Sequence, residues 1–191
     1  MFAPILALLL ATAGPIPAPT PAGTTYAVVP SPIFGVPLPP DGAIDPDLTN
    51  VRKKQADAEL KQALAQLDAD RSLPAKEKAA IRGRLLQMKV AVMTTSRPVA
   101  EVAAFYERTV PRSEFVFGVR DLRADLEEAI RAGAIHAGPE QLRAAAGKTG
   151  RSARWTREAE RLSIAIEDGF LDPRDGRIVP KTVVLVTSFG N

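Results

Sequence analysis

The residues best equipped for chemistry in this sequence stand between Gly147 and Arg177. Gly147-Lys148-Thr149 reads like the end of a phosphate-binding loop, where backbone amides at a helix amino terminus cradle phosphate oxygens. Such a loop needs Gly-x-x-x-x-Gly-Lys-Ser/Thr after a strand. Its first glycine would fall at position 142, which is Leu142, and the residues just before Gly147 carry a helical pattern. Gly147 therefore reads as the carboxy-terminal stop of a helix, where free carbonyls attract a cation such as Lys148 and repel an anion.

The stretch that follows is basic. Residues 147–161 hold Lys148, Arg151, Arg154, Arg157 and Arg161 against Glu158 and Glu160, and this surplus of three equals the whole chain's net charge of +3. The only tryptophan, Trp155, lies among them. As a helix, 152–162 would align Trp155, Ala159 and Leu162, with Ser152 as cap and the four arginines close together. As a strand, it would turn Trp155 inward and Arg154 outward and run on towards Leu162. The extended form is the expectation, and the absence of Gly, Pro, Asn and Asp from 151–166 argues against a tight hairpin there.

Residues 167–177 have the opposite balance, with Glu167, Asp168, Asp172 and Asp175 against Arg174 and Arg177. Two outcomes follow. The acidic and basic regions pair across the sheet or stay solvated, each exposed pair contributing about 0–1 kcal/mol. Alternatively, Lys148, Arg151, Arg154, Trp155, Arg157 and Arg161 form a surface for a phosphate, a lipid headgroup or an acidic partner, with Trp155 as aromatic anchor.

Other chemistries find little support. The chain has no cysteine, which excludes disulfides, thiol nucleophiles and Cys-based metal sites. Its one histidine, His136, would have to serve any Ser-His-Asp hydrolase, and no Gly-x-Ser-x-Gly elbow accompanies it. Asp172-Pro173-Arg174-Asp175-Gly176 misses the EF-hand spacing and reads as turn chemistry. Glu167 and Asp168 are adjacent on a strand, so they point to opposite faces and do not form an acid–base pair. No metal or cofactor is expected. With only 5% aromatic residues and a modest net charge, neither is a nucleic-acid partner.

These side chains need a scaffold, and the patterning supplies one. Leu60, Leu64 and Leu67 lie on one face of a helix over 51–70. Ile81, Leu85 and Met88 do the same over 75–88, so 47–88 forms a helical hairpin. Val90 and Val92 mark a strand at 89–95. Val99, Ala103, Tyr106 and Val110 share a face of the helix that Pro98 opens and Pro111 ends. Phe115-Val116-Phe117 is a short strand or buried turn, 121–132 is a helix stopped by Gly133, and a small helix starts at Gly138-Pro139. Leu162, Ile164 and Ile166 alternate, and 182–189 is β-branched. The Asp-Gly and Asp-Pro turns between them predict a hairpin with a long acidic connection. The expected fold is α+β: a small antiparallel sheet with helices on one face and an inserted or appended helical hairpin.

The amino terminus reads as a processing signal. Residues 2–13 are apolar, too short to span a bilayer, and close on Ala11-Thr12-Ala13, a small-x-small cleavage pattern. No Lys or Arg precedes the run. Residues 14–40 hold no charged residue and are rich in proline, as expected of an extended spacer. The division expected is a signal at 1–13, a spacer at 14–40 and a single domain at 41–191. The location expected is secreted or periplasmic, with the cytoplasm as alternative, and no later segment is apolar for long enough to cross a membrane.

Gly35-Val36-Pro37-Leu38-Pro39-Pro40-Asp41-Gly42-Ala43, then Thr94-Thr95-Ser96 leading to Val102-Ala103-Ala104-Phe105-Tyr106, and a final hairpin follow a suggestive order. That order resembles uncharacterised bacterial secreted and lipoprotein domains, which carry a Gly-x-Pro-x-x-Pro lead-in, a strand and a helix with a Val-x-x-Phe-Tyr core. The resemblance covers half the chain and implies an α+β fold and an envelope location. It supplies no active-site residues. This sequence departs from it in the helices of 47–88 and in lacking a lipid-bearing cysteine. The functional expectation is a non-enzymatic secreted or envelope protein that binds a macromolecule. An anion-binding module and an unrecognised hydrolase are the alternatives.

Overall fold

The computed structural model describes residues 33–110, 112–157 and 161–189. The expected signal at 1–13, most of the 14–40 spacer, the helix stop Pro111 and the charges Glu158 and Glu160 lie outside these residues. The fold is α+β, as the patterning predicts. Its elements are β1 (Ala43–Ile44), α1 (Pro46–Ala69), α2 (Ala75–Leu86), β2 (Lys89–Thr95), α3 (Val99–Thr109), β3 (Val116–Asp121), α4 (Leu122–Arg131), α5 (Pro139–Ala145), β4 (Thr149–Arg157), β5 (Leu162–Glu167) and β6 (Thr182–Ser188).

The strands form one sheet in the order β1-β2-β6-β5-β4-β3, every pair antiparallel. Side-chain alternation gives the sheet two faces. One face presents Ala91, Met93, Ala153, Trp155, Ile164, Ile166, Val184 and Val186 to Val102, Phe105 and Tyr106 of α3, and this is the main core. The other presents Val92 and Val183 to Leu48 of α1, with Phe170, Val179 and Leu185 packed alongside. α1 of the helical hairpin thus supplies the cover for the second face, and α2 packs against α1. A third cluster fills the end of the sheet, where Leu122, Leu126 and Ala129 of α4 meet Ile135, Ala145 and Leu171.

Local chemistry sets the element ends. α1 begins five residues before the expected start because Asp45 caps it, accepting from the Leu48 N–H at 2.9 Å, with Pro46 in the first turn. Thr49 then closes the edge of β2: its hydroxyl donates to the Val92 carbonyl at 3.3 Å and accepts from the Val92 N–H at 3.0 Å. Asp121 ends β3 and caps α4, accepting from the N–H groups of Arg123 at 2.9 Å and Ala124 at 3.1 Å. Val116 and Phe117 open a six-residue strand, and Phe115 just before it lies in the core.

Two expectations need correction. First, the domain begins before residue 41. Ile33 and Val36 are buried in the main core, the Tyr106 hydroxyl donates to the Pro37 carbonyl at 3.1 Å, and the Thr95 hydroxyl donates to the Pro40 carbonyl at 2.7 Å. Residues 33–40 are a docked strap over α3, because an uncharged Pro-rich chain needs few partners for its backbone and can bury its apolar side chains. Second, β4 and β5 do form a hairpin, with Trp155 opposite Ile164 and Arg157 opposite Leu162. Packing of Ala153, Trp155, Ile164 and Ile166 fixes this register without favourable turn residues. The chain reverses with Arg161 in the left-handed region at φ 52°.

Candidate binding surface

Lys148, Arg151, Arg154, Trp155 and Arg157 lie on or next to β4, and the fold separates them by face. Gly147, at φ 69°, terminates α5 as expected, and Lys148 leads directly into the strand. No helix begins after Gly147, so the Gly-Lys-Thr sequence has none of the geometry of a phosphate loop. Trp155 is only 3% exposed and belongs to the core under α3. It cannot anchor a partner from the surface, which corrects that part of the expected site. Its indole nitrogen is buried with no hydrogen-bond partner. Arg151 projects on the α3 side beyond the helix, Arg154 projects on the α1 side, and Arg157 and Arg161 bracket the hairpin end.

The acidic region does not neutralise this surface. Glu167 is claimed by Arg120 of β3, which also donates to Asp125 of α4 at 2.7 Å. Burial works against the Arg120 charge, but Glu167 and Asp125 outweigh it and raise its pKa further. Gly150 is the partner of Arg120 in the β3–β4 register. A Cβ on Gly150 would stand 2.8 Å from both the Asp168 carbonyl and a Leu122 methyl. Asp168 accepts the backbone N–H of Arg151, leaving that guanidinium unused. Asp172 holds Arg174 through both carboxylate oxygens, at 2.9 and 2.5 Å, and accepts its backbone N–H at 2.9 Å. The Arg174 hydrogen bond holds the Asp172 carboxyl below its usual range. Asp175 pairs with Arg177 at 3.2 Å.

Lys148, Arg151 and Arg154 therefore make no ion pair among the described residues. Sequence reasoning missed Arg120 as the partner of Glu167, since the two are 47 positions apart. Only the strand order brings them together.

Lys148 also lines a shallow cleft of about 340 Å³ between α5 and the acidic turn, with Glu140, Gln141, Gly176, Arg177 and Ile178. His136 is exposed and lines neither this cleft nor the second one beside α5, formed around Arg123, Leu142 and Arg143. Glu167 and Asp168, the other acid–base pair considered, are engaged in the contacts above. No described helix is long and apolar enough to cross a membrane.

The class defined by this geometry is an α+β domain with helices on both faces of an antiparallel sheet and a basic strand beside its outer edge. Comparison with known proteins adds no family: no protein-family model matches the chain, and no curated protein or solved structure matches it.

Proposed function

We propose that this chain is a non-enzymatic secreted or envelope protein that binds an acidic partner through Lys148, Arg151 and Arg154. One observation carries the reading: Glu167, Asp172 and Asp175 are each paired with another arginine and Asp168 accepts the Arg151 backbone N–H, while the side chains of Lys148, Arg151 and Arg154 make no ion pair among the described residues. The charges of Lys148, Arg151 and Arg154 are thus left to attract an acidic partner at a distance. The apolar amino terminus closing on Ala11-Thr12-Ala13, and the resemblance to secreted and lipoprotein domains, support an exported location.

The test is fluorescence anisotropy with labelled polyglutamate at low and physiological salt. Wild type binds with a salt-dependent affinity, and the Lys148→Ala/Arg151→Ala/Arg154→Ala variant loses at least about tenfold, or about 1.4 kcal/mol. Equal binding by the two proteins, or none by wild type, contradicts the proposal. Fractionation of the native organism checks the location separately, since a cytoplasmic protein retaining its first 13 residues contradicts export.

A second reading has its own observation. Lys148 and Arg177 share the cleft beside α5, where a phosphate group could meet both cations. Saturable binding of inorganic phosphate, lost on Lys148→Ala but kept on Arg154→Ala, would favour it.

A further inference from the structure

The outer edge of the sheet extends this reading, on which the present inference rests. β3 ends the strand order, and among the described residues β4 is its only strand neighbour. An edge of this kind carries backbone groups able to pair with another chain. Its apolar side chains are unusually open: Val116 is 73% exposed and Val119 is 41% exposed.

The register gives each valine a specific neighbour. Val116 stands opposite Arg154, and Val119 stands opposite Arg151. Residues three apart on a strand point to opposite faces. Ala153 and Trp155 fix the α3 side of β4, so Val119 and Arg151 lie on that side and Val116 and Arg154 on the other. Each face of this edge thus presents one exposed valine backed by one arginine that has no acid partner among the described residues.

We infer that β3 receives an extended acidic peptide as a seventh strand, with carboxylates on both faces of the added strand. Strand addition supplies affinity through backbone pairing, and the flanking side chains supply selectivity. A residue opposite Val116 or Val119 would lie two strand spacings, about 10 Å, from the β4 backbone. Glutamate and arginine side chains, extending towards each other over the valine, close that gap. Because the two arginines are three residues apart and face opposite ways, the recognised pattern is Glu-x-x-Glu. A Glu-x-Glu pattern puts both carboxylates on one face and can satisfy only one arginine.

The test uses the full chain and three labelled synthetic peptides built from Thr, Val and two Glu. The first carries Glu-x-x-Glu, the second carries Glu-x-Glu in the same composition, and the third repeats the first with N-methylated backbone amides. Wild type should bind the first at least about tenfold more tightly than the other two. The Arg151→Ala/Arg154→Ala variant should lose that preference, and hydrogen exchange should show the amides of residues 116–121 gaining protection with the first peptide only. Equal binding of all three peptides overturns strand addition while leaving the acidic-partner reading intact. Failure to bind any of the three, with polyglutamate binding retained, overturns strand addition alone. Loss of polyglutamate binding as well overturns both.

Discussion

Tyr106 illustrates how single residues hold this fold. Its ring is fully buried against Phe105 and Phe115, and its hydroxyl is tied to the strap at Pro37. Tyr106→Phe leaves the packing but removes the donor, and should cost about 1 kcal/mol in urea unfolding. Burial raises the phenol's pKa above its ordinary value near 10. The folded state therefore favours the neutral form: this contribution is complete below about pH 10 and is lost as pH rises further, when the unfolded chain ionises. Tyr106→Phe should remove that part of the alkaline destabilisation, and an unchanged alkaline limb would contradict it. Arg120 gives a sharper case. Arg120→Met leaves the Glu167 carboxylate, whose side chain is 14% exposed, without its cation and should cost about 3–5 kcal/mol, whereas Glu167→Ala leaves Arg120 still paired with Asp125 and should cost less. The reverse order, measured by denaturant unfolding, would show that the pair does not hold β3 to β5. Trp155 was legible as inward-facing from its alternation with Arg154. Its unpaired indole N–H was not legible, because that depends on which groups α3 brings over it.

At the scale of elements, legibility followed the source of the signal. Strand β2 matched its expected bounds because alternation and flanking turns agree there. The start of α1 was present in the sequence as Asp45-Pro46, a cap and first-turn proline, although the apolar stripe begins only later. The β4–β5 hairpin was hidden because its register comes from packing, and no turn residue announces it. The 168–181 connection was legible as turns, and its carboxylates anchor it internally. Asp172→Asn keeps an acceptor for the Arg174 N–H but loses the ion pair. Since the Arg174 side chain is 51% exposed, this should cost about 0–1 kcal/mol, and Asp172→Ala should cost more. The Asp172 pKa is lowered in the fold, so its contribution is present above the ordinary carboxylate range and is lost as pH falls through the lowered value. The Asn variant should therefore lose less stability on acidification than wild type, as followed by unfolding at a series of acid pH values.

For the whole molecule, α3 under its strap and α1 cover the two faces of one sheet. Residues 33–40 cover α3 from outside, and α1 covers β2 and β6. Val36→Ala should lower stability by about 1–3 kcal/mol, as for a core residue, while a simple spacer would give no change. With both faces occupied and the acidic turn paired internally, Lys148, Arg151 and Arg154 stand on or beside β4 with no ion pair among the described residues. The most direct measurement of that claim takes the Lys148→Ala/Arg151→Ala/Arg154→Ala variant through two readouts, urea unfolding and polyglutamate binding. The expected result is stability within about 0.5 kcal/mol of wild type, as for surface residues that make no ion pair, together with at least about tenfold weaker binding. A clear loss of stability would mean that the cations are already spent inside the fold, and unchanged binding would mean that this surface is not where an acidic partner docks.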